Sequence, residues 1–280
     1  MQFQQLTPDA RQSFEEDGFL VVRNALDKET VDELNAAADR LASLFLGRPK
    51  VQNKPWYNDL DLRPGLLREE SFYDLVSNST VSLIVQLLGP NIHLHSTSLV
   101  CKRPESPDLP PFRRGWHRDM RVTPDLGHEQ APRVGIKVAY CLNDFNPPDS
   151  GLTQMARGSH LRQAPLVIPE GEIDPADYEV CDLEMAAGDA LLFENRIYHT
   201  ATPNRSGRVS KKIIYGYAYR WMKPEVYLDP PAEEHLAGAA PIARQLLGAY
   251  RDIDTPPWAL REWAQAHDFE LAPVPWMVPG

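Results

Sequence analysis

From the N-terminus to about residue 90, apolar positions recur at helical steps. Thr7 before Pro8 reads as an N-cap followed by proline at the first helical position, where its missing N–H has no partner to lose. Asp27 opens a longer segment that runs to Gly47. In it Val31, Leu34, Leu41, Leu44 and Phe45 fall at three- and four-residue steps, so one face lies on a core. A third helical stretch, around Ser79 to Leu88, stops at Gly89-Pro90. Between the second and third, Lys50 to Pro64 sets Trp56 and Tyr57 among prolines and polar residues. That is the composition of a loop that covers a cleft or packs on the domain edge.

From about Asn91 the texture changes to short β-branched and aromatic runs separated by Pro, Gly, Asn and Asp, the pattern of an antiparallel sandwich or barrel. Strands are expected near 92–103, 134–144, 151–156, 178–185, 189–193, 197–201 and 210–221. Helix signals return at the end, with Pro241 ahead of Ile242 to Leu247 and a short amphipathic piece from Trp258 to His267. No internal repeat or low-complexity linker interrupts the chain. The expectation is one domain over residues 1–280, a β-core at 91–222 between helical parts at 1–90 and 223–280.

Charge narrows the partners. Acidic residues number 39 against 29 basic, a net charge of −10, which argues against nucleic acid or an anionic membrane, both bound chiefly by excess Lys and Arg. No run approaches the about 20 apolar residues that span a bilayer. Met1-Gln2-Phe3-Gln4 has neither the basic flank nor the apolar run of a signal peptide. The expected protein is cytoplasmic with a small-molecule partner. Cys101, Cys141 and Cys181 are odd in number and far apart, so neither a disulfide framework nor a cysteine metal site is expected.

The strongest chemical signal is Trp116-His117-Arg118-Asp119, because residues two apart on an extended segment point the same way and reach one ion. His117 and Asp119 make half a site. Eighty residues on, Gly188-Asp189-Ala190-Leu191-Leu192-Phe193 reads as a turn into a strand, followed by Asn195, Tyr198 and His199, whose imidazole supplies a third ligand. Two imidazoles and a carboxylate on one face of an octahedral metal leave the opposite face open, as in non-haem Fe(II) oxygenases, so that a bidentate 2-oxo acid and O₂ bind side by side. The far carboxylate of such an acid needs a cation. Arg208 and Ser210 follow His199 by nine and eleven residues, and strand alternation turns both to one face. A zinc hydrolase or a non-catalytic β-helix binding protein would use the same three ligands but leave Arg208 unexplained.

Several segments, in order, resemble the phytanoyl-CoA dioxygenase family of Fe(II)/2-oxoglutarate-dependent oxygenases over most of residues 10–222. They are Phe14 to Val22, Trp116 to Asp119, Gly151-Leu152-Thr153-Gln154-Met155 with Arg157-Gly158-Ser159-His160, Gly188 to Phe193, and His199 to Ser206. The resemblance implies a mainly β fold with flanking helices and a double-stranded β-helix (jelly-roll, cupin-like) core. It implies His117, Asp119 and His199 as catalytic iron ligands, and hydroxylation or other oxidation of an unactivated carbon with release of succinate and CO₂. A carboxylate at 119 favours oxygen insertion over halogenation, since halogenating relatives carry a small residue there. Many members place the co-substrate arginine eleven residues after the distal histidine, where this chain has Ser210. Arg208 with Ser210 is therefore preferred over Lys211 and Lys212, and Lys137, on the strand after the His-x-Asp, is the other candidate cation. Tyr140 lies where the family often has an aromatic residue beside the co-substrate, a position that also serves a core. His160 reads as part of a structural turn, and His93 and His95 as scaffold. Arg113, Arg114, Arg118 and Arg121 flank the half-site and either attract an anionic substrate or form a solvated loop.

Overall fold

Thr7 caps the first helix by accepting a hydrogen bond from the Ala10 N–H at 3.2 Å, and Gly18, at φ +87°, ends it in the left-handed conformation. The computed structural model describes residues 1–45, 59–62, 66–105, 115–119, 132–146, 149–162, 164–225, 233–249 and 259–268. Helix α1 (Pro8–Asp17) leads through Gly18 into β1 (Phe19–Val22). Asp27 caps α2 (Lys28–Phe45), its Oδ1 accepting from the Thr30 N–H at 2.8 Å. Then come β2 (Asp59–Leu62), α3 (Glu70–Asp74), α4 (Thr80–Leu88), β3 (Ile92–Lys102), β4 (Gly135–Cys141), β5 (Thr153–Ala156) and β6 (Val180–Asp182). Strands β7 (Ala190–Glu194), β8 (His199–Ala201) and β9 (Ser210–Tyr219) follow, and α5 (Glu233–Gly238), α6 (Pro241–Leu246) and α7 (Ala259–Ala266) close the order. The expected end of α2 at Gly47 and start of α7 at Trp258 lie outside the described residues.

The strands pair antiparallel into a six-stranded sheet, β1-β7-β4-β9-β3-β2, and a three-stranded sheet, β6-β5-β8. Inward residues of the larger sheet, Ala139, Cys141, Leu191 and Phe193, share one buried cluster with Met155 of the smaller and with Leu183 and Met185 just after β6, the layering of a double-stranded β-helix. Strands β1 and β2 arise in the part read from sequence as helical, and β2 falls within Lys50–Pro64, whose remaining residues lie outside the described ones. Both are four-residue edge strands, too short to carry a period of their own; pairing with β7 and β3 makes them strands. The outward face of the large sheet is covered by helices. Tyr215 donates to the Phe72 carbonyl at 2.6 Å, Tyr217 to the Val76 carbonyl at 2.7 Å, and the Tyr140 hydroxyl lies 2.6 Å from Thr80 Oγ1. Helix α4, buried along its whole length, packs here.

The turn into β7 depends on Gly188. At φ +91° it sits where a Cβ would lie 2.6 Å from the Leu26 carbonyl oxygen, while its own carbonyl accepts from the Leu26 N–H at 2.9 Å. Gly188→Ala should destabilise the protein by more than about 1 kcal/mol, measured from the urea midpoint, through left-handed strain and displacement of that carbonyl. An unchanged midpoint would show that the turn shifts at no cost. No helix among the described residues is long and apolar enough to cross a membrane, and all three cysteines are free.

Candidate metal centre

The smaller sheet gains a fourth edge from the His-x-Asp segment. His117 and His199 exchange backbone hydrogen bonds, each N–H donating to the other's carbonyl at 3.0 Å, which sets their rings with centroids 4.3 Å apart. His117 Nδ1 lies 2.7 Å from the Gly115 carbonyl and His199 Nδ1 3.1 Å from the Ile197 carbonyl. A carbonyl only accepts, so each Nδ1 carries the proton and each Nε2 is turned to Asp119. His117 Nε2 is 3.8 Å from Asp119 Oδ1 and His199 Nε2 is 3.6 Å from Asp119 Oδ2. One ligand atom from each of the three side chains falls within 4.8 Å of the others. Two residues apart on an extended segment, His117 and Asp119 reach one point, as the alternation of a strand requires.

Burial pushes His199 down to about 4, against the pull of the Asp119 carboxylate, so its imidazole is neutral near pH 7. Burial acts to raise Asp119, yet the charges of His199, Lys137 and His117 together hold it below the usual carboxylate range. Lys137 Nζ forms an ion pair with Asp119 Oδ2 at 3.1 Å; apart from that ammonium the oxygen is buried without a hydrogen-bond partner. An orphaned carboxylate oxygen facing two Nε2 lone pairs is a donor set that suits a divalent transition metal. Lys137 reaches it across Gly216, its partner on β9, where a Cβ would press on Ser96 Oγ and come within 3.6 Å of the Lys137 stem.

The other residues singled out from sequence lie elsewhere. Arg208 is half-exposed and donates to the Asp144 carbonyl at 2.9 Å, away from the triad. It precedes β9, so strand alternation does not extend to it and does not pair it with Ser210. Ser210 is inside the barrel, but its hydroxyl donates to the Ser150 carbonyl at 2.5 Å. Tyr140 points the opposite way, into the helix-covered core. Lys211 turns out to Asp39 at 2.7 Å. Lys212 turns in: it is 7 % exposed, with Nζ 2.8 Å from Thr153 Oγ1, 3.4 Å from the Gly151 carbonyl and 4.7 Å from the Phe145 ring centroid. Arg118 donates to the Ser159 and Arg162 carbonyls and lies 4.0 Å over the Tyr198 ring, which fixes the segment rather than offering charge to a ligand. Arg113, Arg114 and Arg121 lie outside the described residues. His160 is structural, its Nε2 3.0 Å from the Glu15 carbonyl.

A cavity of about 270 Å³ opens beside Asp119 and Lys137, lined also by His95, Asn195, Met222 and Glu225. His95 Nδ1 and Asn195 Oδ1 are buried there without hydrogen-bond partners, so His95 is a cavity residue, not the satisfied scaffold histidine expected. Alternation from His93, which pairs with Ala218, turns His95 to the same face, and a β-bulge follows. Leu94 pairs with Tyr217 and Ser96 with Gly216, so His95 is the extra residue, and past it the inward face passes to Ser96. Only cross-strand register reveals that shift.

The phytanoyl-CoA dioxygenase (PhyH) family profile matches residues 14–213. The ectoine dioxygenase of Nocardia farcinica is 26% identical over 220 residues, 69% of this chain and 71% of that one. Dioxygenase olcK of Penicillium canescens is 22% identical over 280 residues, 94% of this chain and 88% of that one. Among solved structures, HygX of Streptomyces hygroscopicus with nickel and 2-oxoglutarate bound superposes with a TM-score of 0.63 at 17% identity, covering 79% of this chain and 90% of that one. A profile match over most of the length, on a barrel that gathers two histidines and an aspartate at one point, has one conclusion: the chain belongs to the phytanoyl-CoA dioxygenase family of Fe(II)- and 2-oxoglutarate-dependent oxygenases.

Proposed function

We propose that His117, Asp119 and His199 hold Fe(II) while the protein oxidises an unactivated carbon of a small polar molecule. 2-Oxoglutarate and O₂ are consumed; succinate takes one oxygen atom, the product takes the other where the outcome is hydroxylation, and CO₂ leaves. The observation that carries this reading is Asp119 Oδ2, buried, without a hydrogen-bond partner and facing His199 Nε2 at 3.6 Å. Fe(II) held by these three side chains would supply the redox-active centre at which O₂ is reduced at the expense of the 2-oxo acid.

The protein's part is to hold and exclude. The Gly115 and Ile197 carbonyls fix both rings, and the Lys137 ammonium offsets the buried carboxylate and orients it. Asp119 fills the place a halide would need, which supports oxygen insertion, with desaturation or ring closure as diversions of the same oxidation. The substrate occupies the cavity beside Asp119, where His95 and Asn195 offer hydrogen bonds to its polar groups. With Arg208 turned away, it no longer separates an oxygenase from a zinc hydrolase or a binding protein; family membership does.

The test is anaerobic addition of Fe(II) and 2-oxoglutarate, expected to give a weak visible metal-to-ligand charge-transfer band, followed by O₂-dependent succinate formation. A protein that binds metal but shows neither band nor succinate would be a hydrolase or a binding protein, and the reading would fall.

A further inference from the structure

We infer that Lys212, with Thr153 beside it, binds the far carboxylate of the 2-oxo dicarboxylic acid, the role the sequence pattern assigned to Arg208. The inference rests on the Fe(II)/2-oxoglutarate reading. It begins from strand register. In the smaller sheet Met155 pairs with His199 and Thr153 with Ala201, so Thr153 lies two residues from the histidine's level, about 7 Å along the strand. Lys212 Nζ is 2.8 Å from Thr153 Oγ1. An ammonium thus sits inside the barrel one step beyond the metal triad, a separation that suits a five-carbon diacid whose 2-oxo end is at the metal.

The space between is open on the inward side. Ile214, between Lys212 and Gly216 on the inward face of β9, is only half-buried; so is Thr153, and Ala201 is exposed. Their outward neighbours Ile213 and Tyr215 are completely buried. The surroundings of the ammonium also fit a carboxylate. Thr153 Oγ1 accepts from Lys212 and retains its own proton to donate to a bound anion, and the Phe145 face steadies the charge. The rival cations fit less well. Arg208 is outside, Lys102 lies 3.4 Å from Glu105, and Lys137 is engaged with Asp119 at the metal itself, where the 2-oxo end belongs. Ser210 adds nothing, its hydroxyl being given to the Ser150 carbonyl.

The experiment is anaerobic titration of the Ni(II)- or Fe(II)-loaded protein with 2-oxoglutarate and, separately, with pyruvate, which shares the 2-oxo acid end and lacks the far carboxylate. Calorimetry and the charge-transfer band are the readouts. Lys212→Met, which keeps the apolar stem, should weaken 2-oxoglutarate tens- to thousands-fold, the range for removing one partner of a desolvated charge pair, and leave pyruvate unchanged. Lys212→Arg should restore part of the loss, and Arg208→Ala should bind both acids as the natural protein does. Undiminished 2-oxoglutarate affinity in folded Lys212→Met, or equal loss for both acids, overturns the assignment while leaving the oxygenase reading intact. Absence of any metal-dependent 2-oxoglutarate binding in the natural protein overturns both. If Lys212→Met fails to fold, a crystal structure of the natural protein with Ni(II) and 2-oxoglutarate decides: the far carboxylate lies against Lys212 Nζ, or it lies on another cation and the inference fails.

Discussion

Asp119→Ala should abolish turnover and release the metal while the fold stays as it is. The carboxylate is the one anionic ligand of the triad; its loss breaks the ion pair with Lys137, whose side chain borders the cavity, where water can take the carboxylate's place. Metal affinity should fall by more than the roughly 10–100-fold that altering an outer partner of a metal ligand costs. His117→Ala and His199→Ala should do the same, because the strands that carry these residues are joined through backbone N–H and carbonyl groups that side-chain removal leaves in place. The measurements are succinate formation, Ni(II) binding by calorimetry and far-UV circular dichroism on each variant. Undiminished succinate formation in any one of the three would remove that residue from the metal. Asp119→Gly serves as a control on ligand identity: hydroxylation must be lost there too, whether or not the opened position accepts halide.

The largest loss of stability is expected outside the metal triad, at Glu194. This side chain is completely buried at the end of β7, where Oε1 accepts from Arg133 Nε at 2.5 Å and Oε2 from Arg196 Nε at 2.6 Å. Arg133 also pairs with Glu15 of α1, so the cluster ties the first helix to the barrel. Both arginine side chains are less than a fifth exposed, so Glu194→Ala leaves two positive charges there with one fewer partner. The cost of breaking such a buried pair is about 3–5 kcal/mol. Urea unfolding should show it directly, and Glu194→Gln, which keeps the shape but not the charge, should recover only part. A loss under about 1 kcal/mol would mean that the arginines find other partners or water.

Much of the site was legible in sequence because its geometry is local. His117 and Asp119 reach one point because a strand alternates, and His199 follows from a turn-strand pattern whose Gly188 and Asp189 do identifiable jobs. Gly188 supplies a left-handed turn; Asp189 accepts from the Asn24 and Ala186 N–H groups at 2.9 Å and from Arg23. The strands from Ile92 onward were likewise readable, since each is a β-branched or aromatic run bounded by turn residues, and α1, α2 and α4 carry their own caps or stops.

Which side of a strand faces which neighbour is a long-range property that no local run of residues carries. Tyr140 and Lys137 stand on one strand three residues apart, and nothing in the run Lys137-Val138-Ala139-Tyr140 says that the lysine faces the metal and the tyrosine Thr80; the helices stacked on the outer face decide it. Arg208 and Lys212 lie otherwise than strand alternation suggested because β9 begins at Ser210, leaving Arg208 in the turn and Lys212 on the inward row. Past His95 the inward row passes to Ser96 through a bulge that exists only in the pairing of β3 with β9. Most helices and strands, and the three side chains proposed to hold the metal, follow from the residues alone, because alternation and capping act over a few positions. The inward place of Lys212, the cavity and the two edge strands waited on the tertiary structure, because register is set between strands distant in the chain and one residue of slip turns every side chain to the other face.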